Sequence, residues 1–229
     1  MSARDIFERV GDARGLALNY NQVGQVFLYR GDWDQAWTML EKGWEFAQRA
    51  NYVPAQVHLL TSMAELALWR RDLSEAASCV ERAERLADVA QLPEEVVIIR
   101  CLKATVLLQQ GENGMAMALA EEALSIAGTL GEMSESYGLA LRTLGEVALS
   151  HCQWDVVEVH LQRAIELFTT LDRLFDVGQC YLLMARLRQY QGDIKAAREW
   201  RHRAANIFHD LDVPLILQQI EPERDNGTT

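Results

Sequence analysis

The chain has 229 residues, 49% of them hydrophobic, and a formal net charge of -11. That length allows one or two ordinary domains, and an acidic balance without any concentrated Lys/Arg tract argues against sequence-independent nucleic-acid binding, which works by neutralising phosphates. No apolar run has the form of a signal peptide or reaches the roughly 18 residues of a membrane span, so a cytoplasmic protein without a membrane role is the expectation.

In chain order, Ile6, Phe7 and Val10 have the apolar spacing of a repeat's second helix, and residues 11–14 read as a linker, so the sequence opens on half a unit. From residue 16 a pattern with a period of about 40 residues takes over, the mark of a repeat array. Polar turns recur at Gly31-Asp32-Trp33, Arg71-Asp72-Leu73, Gly111-Glu112-Asn113, Cys152-Gln153-Trp154 and Gly192-Asp193-Ile194. Before each turn, at a constant offset, stands a small residue: Gly24, Ala64, Ala104, Gly145 and Ala185. After it come Ala36, Ala76, Ala116, Val157 and Ala197, then Gly43, Ala83, Ala123, Ala164 and Ala204. Small side chains at such positions let two helix backbones approach closely. The units are 16–52, 53–92, 93–132, 133–173 and 174–212.

Within a unit, Tyr20, Val23, Gly24 and Phe27 before the turn and Ala36, Leu40, Gly43 and Ala47 after it fall at helical spacing, which predicts a helix, a turn and an antiparallel helix. Between these stripes, Glu41, Lys42, Glu45, Arg49 and Glu81, Arg82, Glu84, Arg85, Asp88 read as solvated faces with some i,i+4 pairing. Trp33 and Trp154 sit at an offset held by Leu73 and Ile194 elsewhere and read as wedges within a helix pair; Trp37, Trp44 and Trp200 read as core or rim. Arg188 and Arg201 occupy offsets that are apolar in the other units, as expected where no full sixth unit follows. Leu215, Ile216, Leu217 and Ile220 predict a short helix over the last unit, ended by Pro222, and residues 221–229 a disordered tail.

The order aromatic, apolar, small, bulky, turn, small, bulky, carried by Tyr20, Val23, Gly24, Phe27, Ala36 and Leu40, resembles the tetratricopeptide repeat over residues 16 to 211. The period exceeds the usual roughly 34 residues, as in the long-repeat subclass of cell-polarity adaptors, kinesin light chains and bacterial signalling ATPases and regulators. Segments such as Leu40-Glu41-Lys42-Gly43 resemble the bacterial members most. The resemblance implies an all-α fold: a right-handed α-solenoid of antiparallel helix pairs, with five full units, an N-terminal half unit and a short C-terminal cap. Residues 1–220 then form a single domain.

No nucleotide-binding loop, HExxH or GxSxG motif is present, so the chain reads as a non-enzyme without a cofactor. His202 and His209 share a helix side but lack a carboxylate or cysteine at i+4, and Cys79, Cys101, Cys152 and Cys180 stand apart, so no metal site is expected.

In tetratricopeptide arrays the first helix of each unit lines the concave side, which implies inward places for Asn21 and Gln25, Thr61 and Glu65, Cys101 and Thr105, Arg142 and Glu146, Leu182 and Arg186. The candidate partner-binding residues are Asn21, Gln25, Thr61, Glu65, Thr105, Arg142, Glu146 and Arg186, with Tyr29, Trp69 and Tyr190 as rim contacts. None of these is lysine, so the carboxylate clamp of some members does not carry over. Arg142 and Arg186 suit bidentate recognition of carboxylates in an acidic segment, although Glu146, four residues after Arg142, is placed to neutralise it. The expected function is a scaffold that binds a protein or peptide partner in its groove; the alternative is a ligand- or peptide-sensing segment of a bacterial signalling or transcription regulator. A homodimer through a chain end is the further association considered.

Overall fold

The computed structural model describes residues 11–220. The expected half unit at Ile6, Phe7 and Val10 and the tail at 221–229 lie outside the described residues. Helices α1 (Ala13–Arg30) and α2 (Trp33–Arg49) form unit 1, α3 (Val53–Trp69) and α4 (Leu73–Ala90) unit 2, and α5 (Pro93–Gln110) and α6 (Asn113–Leu130) unit 3. Unit 4 is α7 (Glu135–Ser150) and α8 (Trp154–Thr170), unit 5 is α9 (Leu174–Tyr190) and α10 (Ile194–Asp210), and α11 (Pro214–Ile220) follows. The expected linker at 11–14 is shorter than read: the Asp12 side chain accepts hydrogen bonds from the Arg14 and Gly15 amides, so α1 is capped there and already includes Ala13 and Arg14.

Every polar turn within a unit is the same backbone device. Gly31, Arg71, Gly111, Cys152 and Gly192 all have positive φ, between 56° and 86°. Around the first, the Gly31 amide donates to the Leu28 carbonyl and the Asp32 amide to the Phe27 carbonyl, the paired bonds that end a helix on a left-handed residue. Glycine takes this conformation without strain, whereas Arg71 and Cys152 each pay on the order of 1 kcal/mol for it. The register is thus written into the backbone as well as the apolar stripes.

Two layers result. The first helices of successive units, α1, α3, α5, α7 and α9, touch one another, while the second helices touch only their own and the following first helix. The first helices therefore form the inner layer. Burial agrees, since α3 buries ten residues and α7 eleven, against four each on α2 and α6. The small residues of the repeat sit where the layers meet. A Cβ added at Gly24 would lie 2.7 Å from a Leu40 methyl, and one at Gly145 2.8 Å from a Leu161 methyl, so a larger residue would push the two helices of the unit apart. Ala123 and Ala164 are fully buried.

Candidate functional site

The inner helices carry a row of polar residues among apolar ones, because their two flanks must pack on neighbouring units while a third stripe faces the enclosed side of the array. Along α1 this stripe is Asn21, Gln25 and Tyr29, each four residues after the last. Gln25 donates to the Ser62 hydroxyl at 3.1 Å, and the Tyr29 hydroxyl donates to the Glu65 carboxylate at 3.3 Å, so α1 and α3 are stitched across the inner face. Asn21 is buried, and its Oδ1 has no hydrogen-bond partner among the described residues. Thr61 and Thr105 turn their hydroxyls back on the helix carbonyls of His58 and Cys101. Both are half-buried.

On the opposite side Arg142 of α7 reaches α9 and donates to the Asp176 carboxylate at 2.9 Å. Its partner is thus Asp176, not Glu146 as sequence spacing suggested, because Asp176 stands across the unit boundary with its second oxygen bonded to Arg173 at 3.2 Å. Arg186, ten residues beyond Asp176 along the same helix, is exposed, and no carboxylate lies within ion-pair distance of it among the described residues.

Enclosure changes how these groups titrate. Glu65 is half-buried; burial raises its pKa to about 7, helped by the nearby Asp176 charge, while Arg142 and the Tyr29 hydroxyl pull the other way. Burial first, and then the Glu65 and Asp176 charges, holds the Tyr29 phenol well above its ordinary range. The Arg142 guanidinium stays charged: burial acts against the charge, but Asp176, Cys180, Glu146 and Glu65 raise its pKa above the usual value. Burial also pushes the Cys101 and Cys180 thiols up to about 11 and about 12, so both stay protonated at neutral pH.

The rim residues separate into two kinds. Tyr29 and Trp69 pack against a cluster built by Phe208, Val213, Ile216 and Ile220, with the Tyr29 ring 4.2 Å from that of Phe175. They lie in a seam where the end of the array returns to its beginning, and α11 touches α1. Tyr190, by contrast, is 66% exposed and stacks on Trp154.

Sequence reading missed Asp176, Ser62 and Phe175. Asp176 stands in the first turn of its helix, where acidic residues are ordinary, so nothing local marked it as the partner of Arg142. Ser62 and Phe175 acquire their roles only from residues 37 and 146 positions away, which no repeat offset connects.

The sequence matches no family model and no curated protein sequence. Solved structures share its architecture. BtubC from P. vanneervenii superposes with a TM-score of 0.61 at 19% identity, over 99% of this chain and 91% of that one. PilW, a type IV pilus biogenesis factor, gives 0.54 at 14% identity over 89% of this chain and 90% of that one. A signal-transduction ATPase of Pyrococcus horikoshii with a tetratricopeptide-repeat sensor gives 0.57 at 14% identity, over 96% of this chain but 37% of that one. At these identities the likeness is one of fold, and the fold is that of the tetratricopeptide repeat.

Proposed function

We propose that this tetratricopeptide-repeat array is a non-catalytic scaffold that holds a protein or peptide segment against its inner helices. The observation that carries the proposal is Arg186, on an inner helix, exposed and without a carboxylate partner among the described residues. Arg186 takes no part in packing the array, and a carboxylate supplied by the partner would pair with it. With Arg142 engaged by Asp176, recognition of an acidic side chain falls to Arg186, which can form a bidentate pair worth more than a neutral hydrogen bond.

The test is affinity capture from extracts of the source cell by the parent chain, Arg186→Ala and the outer-face control Arg85→Ala, with captured proteins quantified by mass spectrometry. A partner retained by the parent and the control but reduced about tenfold by Arg186→Ala is the expected result, the size of one charge-assisted hydrogen bond. Equal capture by all three would remove the inner row from recognition.

A second reading is a ligand- or peptide-sensing segment of a bacterial signalling or transcription regulator. The seam between units 1 and 5 favours it, since a contact that closes an array is one that a ligand can break. This reading requires ATPase or DNA-binding domains encoded beside the segment in the parent gene. A gene encoding this array alone would eliminate it.

A further inference from the structure

Helix α11 begins as an inner helix of a sixth unit would. Asp212 has φ 54°, matching 48° at Asn51, 53° at Gln91 and 56° at Asp172, the residues that precede α3, α5 and α9. The Val213 amide donates to the Phe208 carbonyl just as the Tyr52, Leu92 and Arg173 amides donate to Ala47, Ala87 and Phe168. Its surroundings, however, differ from those of any other inner helix. Beside α10, the backbone it touches belongs to α1, at the other end of the array. Val213, Ile216 and Ile220 are buried there and Leu217 partly so, an i, i+3, i+4, i+7 set. The wall that receives them is drawn from four helices and is rich in rings: Tyr29 of α1, Trp69 of α3, Phe175 of α9 and Phe208 of α10.

The wall is held together without α11. Tyr29 packs on Phe175 at 4.2 Å, Phe175 meets Phe208 edge-on at 5.6 Å, and the Tyr29 hydroxyl is anchored on Glu65. The occupant is held less firmly. The residues it brings to the cluster are aliphatic, with no ring among them. Among the described residues its polar tether to the first unit is a single pair, Arg30 to Asp212 at 2.6 Å, between half-exposed and exposed side chains, and such surface pairs add little. Rigid aromatic residues converging from several elements on one short apolar helix are the composition of a recognition hot spot.

We infer that the place occupied by α11 is a helix-docking site, that α11 is its resident occupant, and that a helix of another protein takes its place. The partner helix presents aliphatic residues at i, i+3, i+4 and i+7, with an acidic residue just before the first to meet Arg30. This inference rests on reading the chain as an interaction scaffold, but on the rim wall rather than the inner polar row. It makes the site one of helix-in-groove recognition, covered by α11.

A fluorescein-labelled peptide of residues 209 to 220 is the probe, titrated by anisotropy into the full chain and into Ile216→Asp, which removes the central anchor of α11. A tethered helix competes at an effective concentration on the order of millimolar, so the peptide should bind the loosened variant at least about tenfold more tightly than the parent. Adding Trp69→Ala in that background should weaken binding by about tenfold or more, while adding Arg186→Ala should leave it unchanged, which separates this site from the inner row. If Ile216→Asp loses its cooperative melt, Ile216→Ala replaces it, removing the same anchor without burying a charge. Equal peptide binding by parent and loosened chains, binding by neither, or indifference to Trp69→Ala would overturn the site. Light scattering on the parent tests the other occupant: a dimer that the peptide dissolves would assign the groove to α11 of a second copy and overturn the assignment to another protein.

Discussion

Arg85 on α4 and Arg142 on α7 each face a carboxylate, and the two pairs could hardly differ more. Outside the array, Arg85 and Glu81 stand 3.9 Å apart with side chains 69% and 64% exposed; inside it, Arg142 and Asp176 are bonded at 2.9 Å and 22% and 10% exposed. In water the first pair gains little over its separate hydration and is screened by salt. The second has exchanged hydration for ion pairs, since Asp176 also bonds Arg173, so removing Arg142 leaves a buried carboxylate with only a half-exposed partner. The same residue types therefore serve solubility on the outer helices and shape on the inner ones. Arg186, exposed on the inner helix of unit 5, keeps its hydration and so is free to take a partner from outside the chain.

The boundary between the layers is the place to break that contrast most severely. Ala123 and Ala164 are fully buried between helices, so Ala123→Arg or Ala164→Arg should cost about 4 kcal/mol or more by overpacking and by burying an unpaired charge. Thermal and urea melts measure it, and a variant that melts like the parent would show the repeat register to be misplaced.

Next in size, Arg142→Ala should cost about 2 kcal/mol because Asp176 stays buried with only the half-exposed Arg173 to pair it. The outer equivalent Arg85→Ala should stay within about 0.5 kcal/mol. Urea melts of the two variants, compared directly, read the inner-outer contrast as a difference in stability; equal losses would mean that solvent reaches the inner pair as freely as the outer one.

Titration sharpens the comparison further. Glu65 has a folded pKa of about 7 against an ordinary 4.5, so the folded chain holds its proton more tightly than the unfolded chain does. The stabilising contribution is complete below pH 4.5, is lost as pH rises towards 7, and is absent above. Glu65→Gln keeps an acceptor for Tyr29 without the titration, so between pH 4.5 and pH 8 the parent should lose about 2 kcal/mol more stability than the variant. Urea melts at the two pH values measure this; parallel pH dependence in both proteins would place Glu65 in ordinary solvent.

Much of the fold could be read along the chain because each unit repeats the same local instructions. Gly24 and Gly145 announced close helix contacts, and added Cβ atoms there would indeed collide with Leu40 and Leu161. The short helix after residue 212 was visible in the spacing of Ile216, Leu217 and Ile220. The inner row was legible only as a set of positions. Its pairing was not, because spacing along one helix offers Glu146 to Arg142, whereas the side chain reaches Asp176 on the next unit. Tyr29 and Trp69 could be placed near the rim, but not under α11.

By itself the sequence determined the period, the helix pairs, the left-handed turn residues and the small contacts between layers, since all of these depend on residues within one unit or its immediate neighbour. Tertiary structure alone decided whether the array stays open or returns on itself. The rotation from one unit to the next is small and set by many side chains together, and over five units the increments add. Only their sum brings Phe175 to Tyr29 and Asp212 to Arg30, turning the last helix of the described chain into a cover over the first.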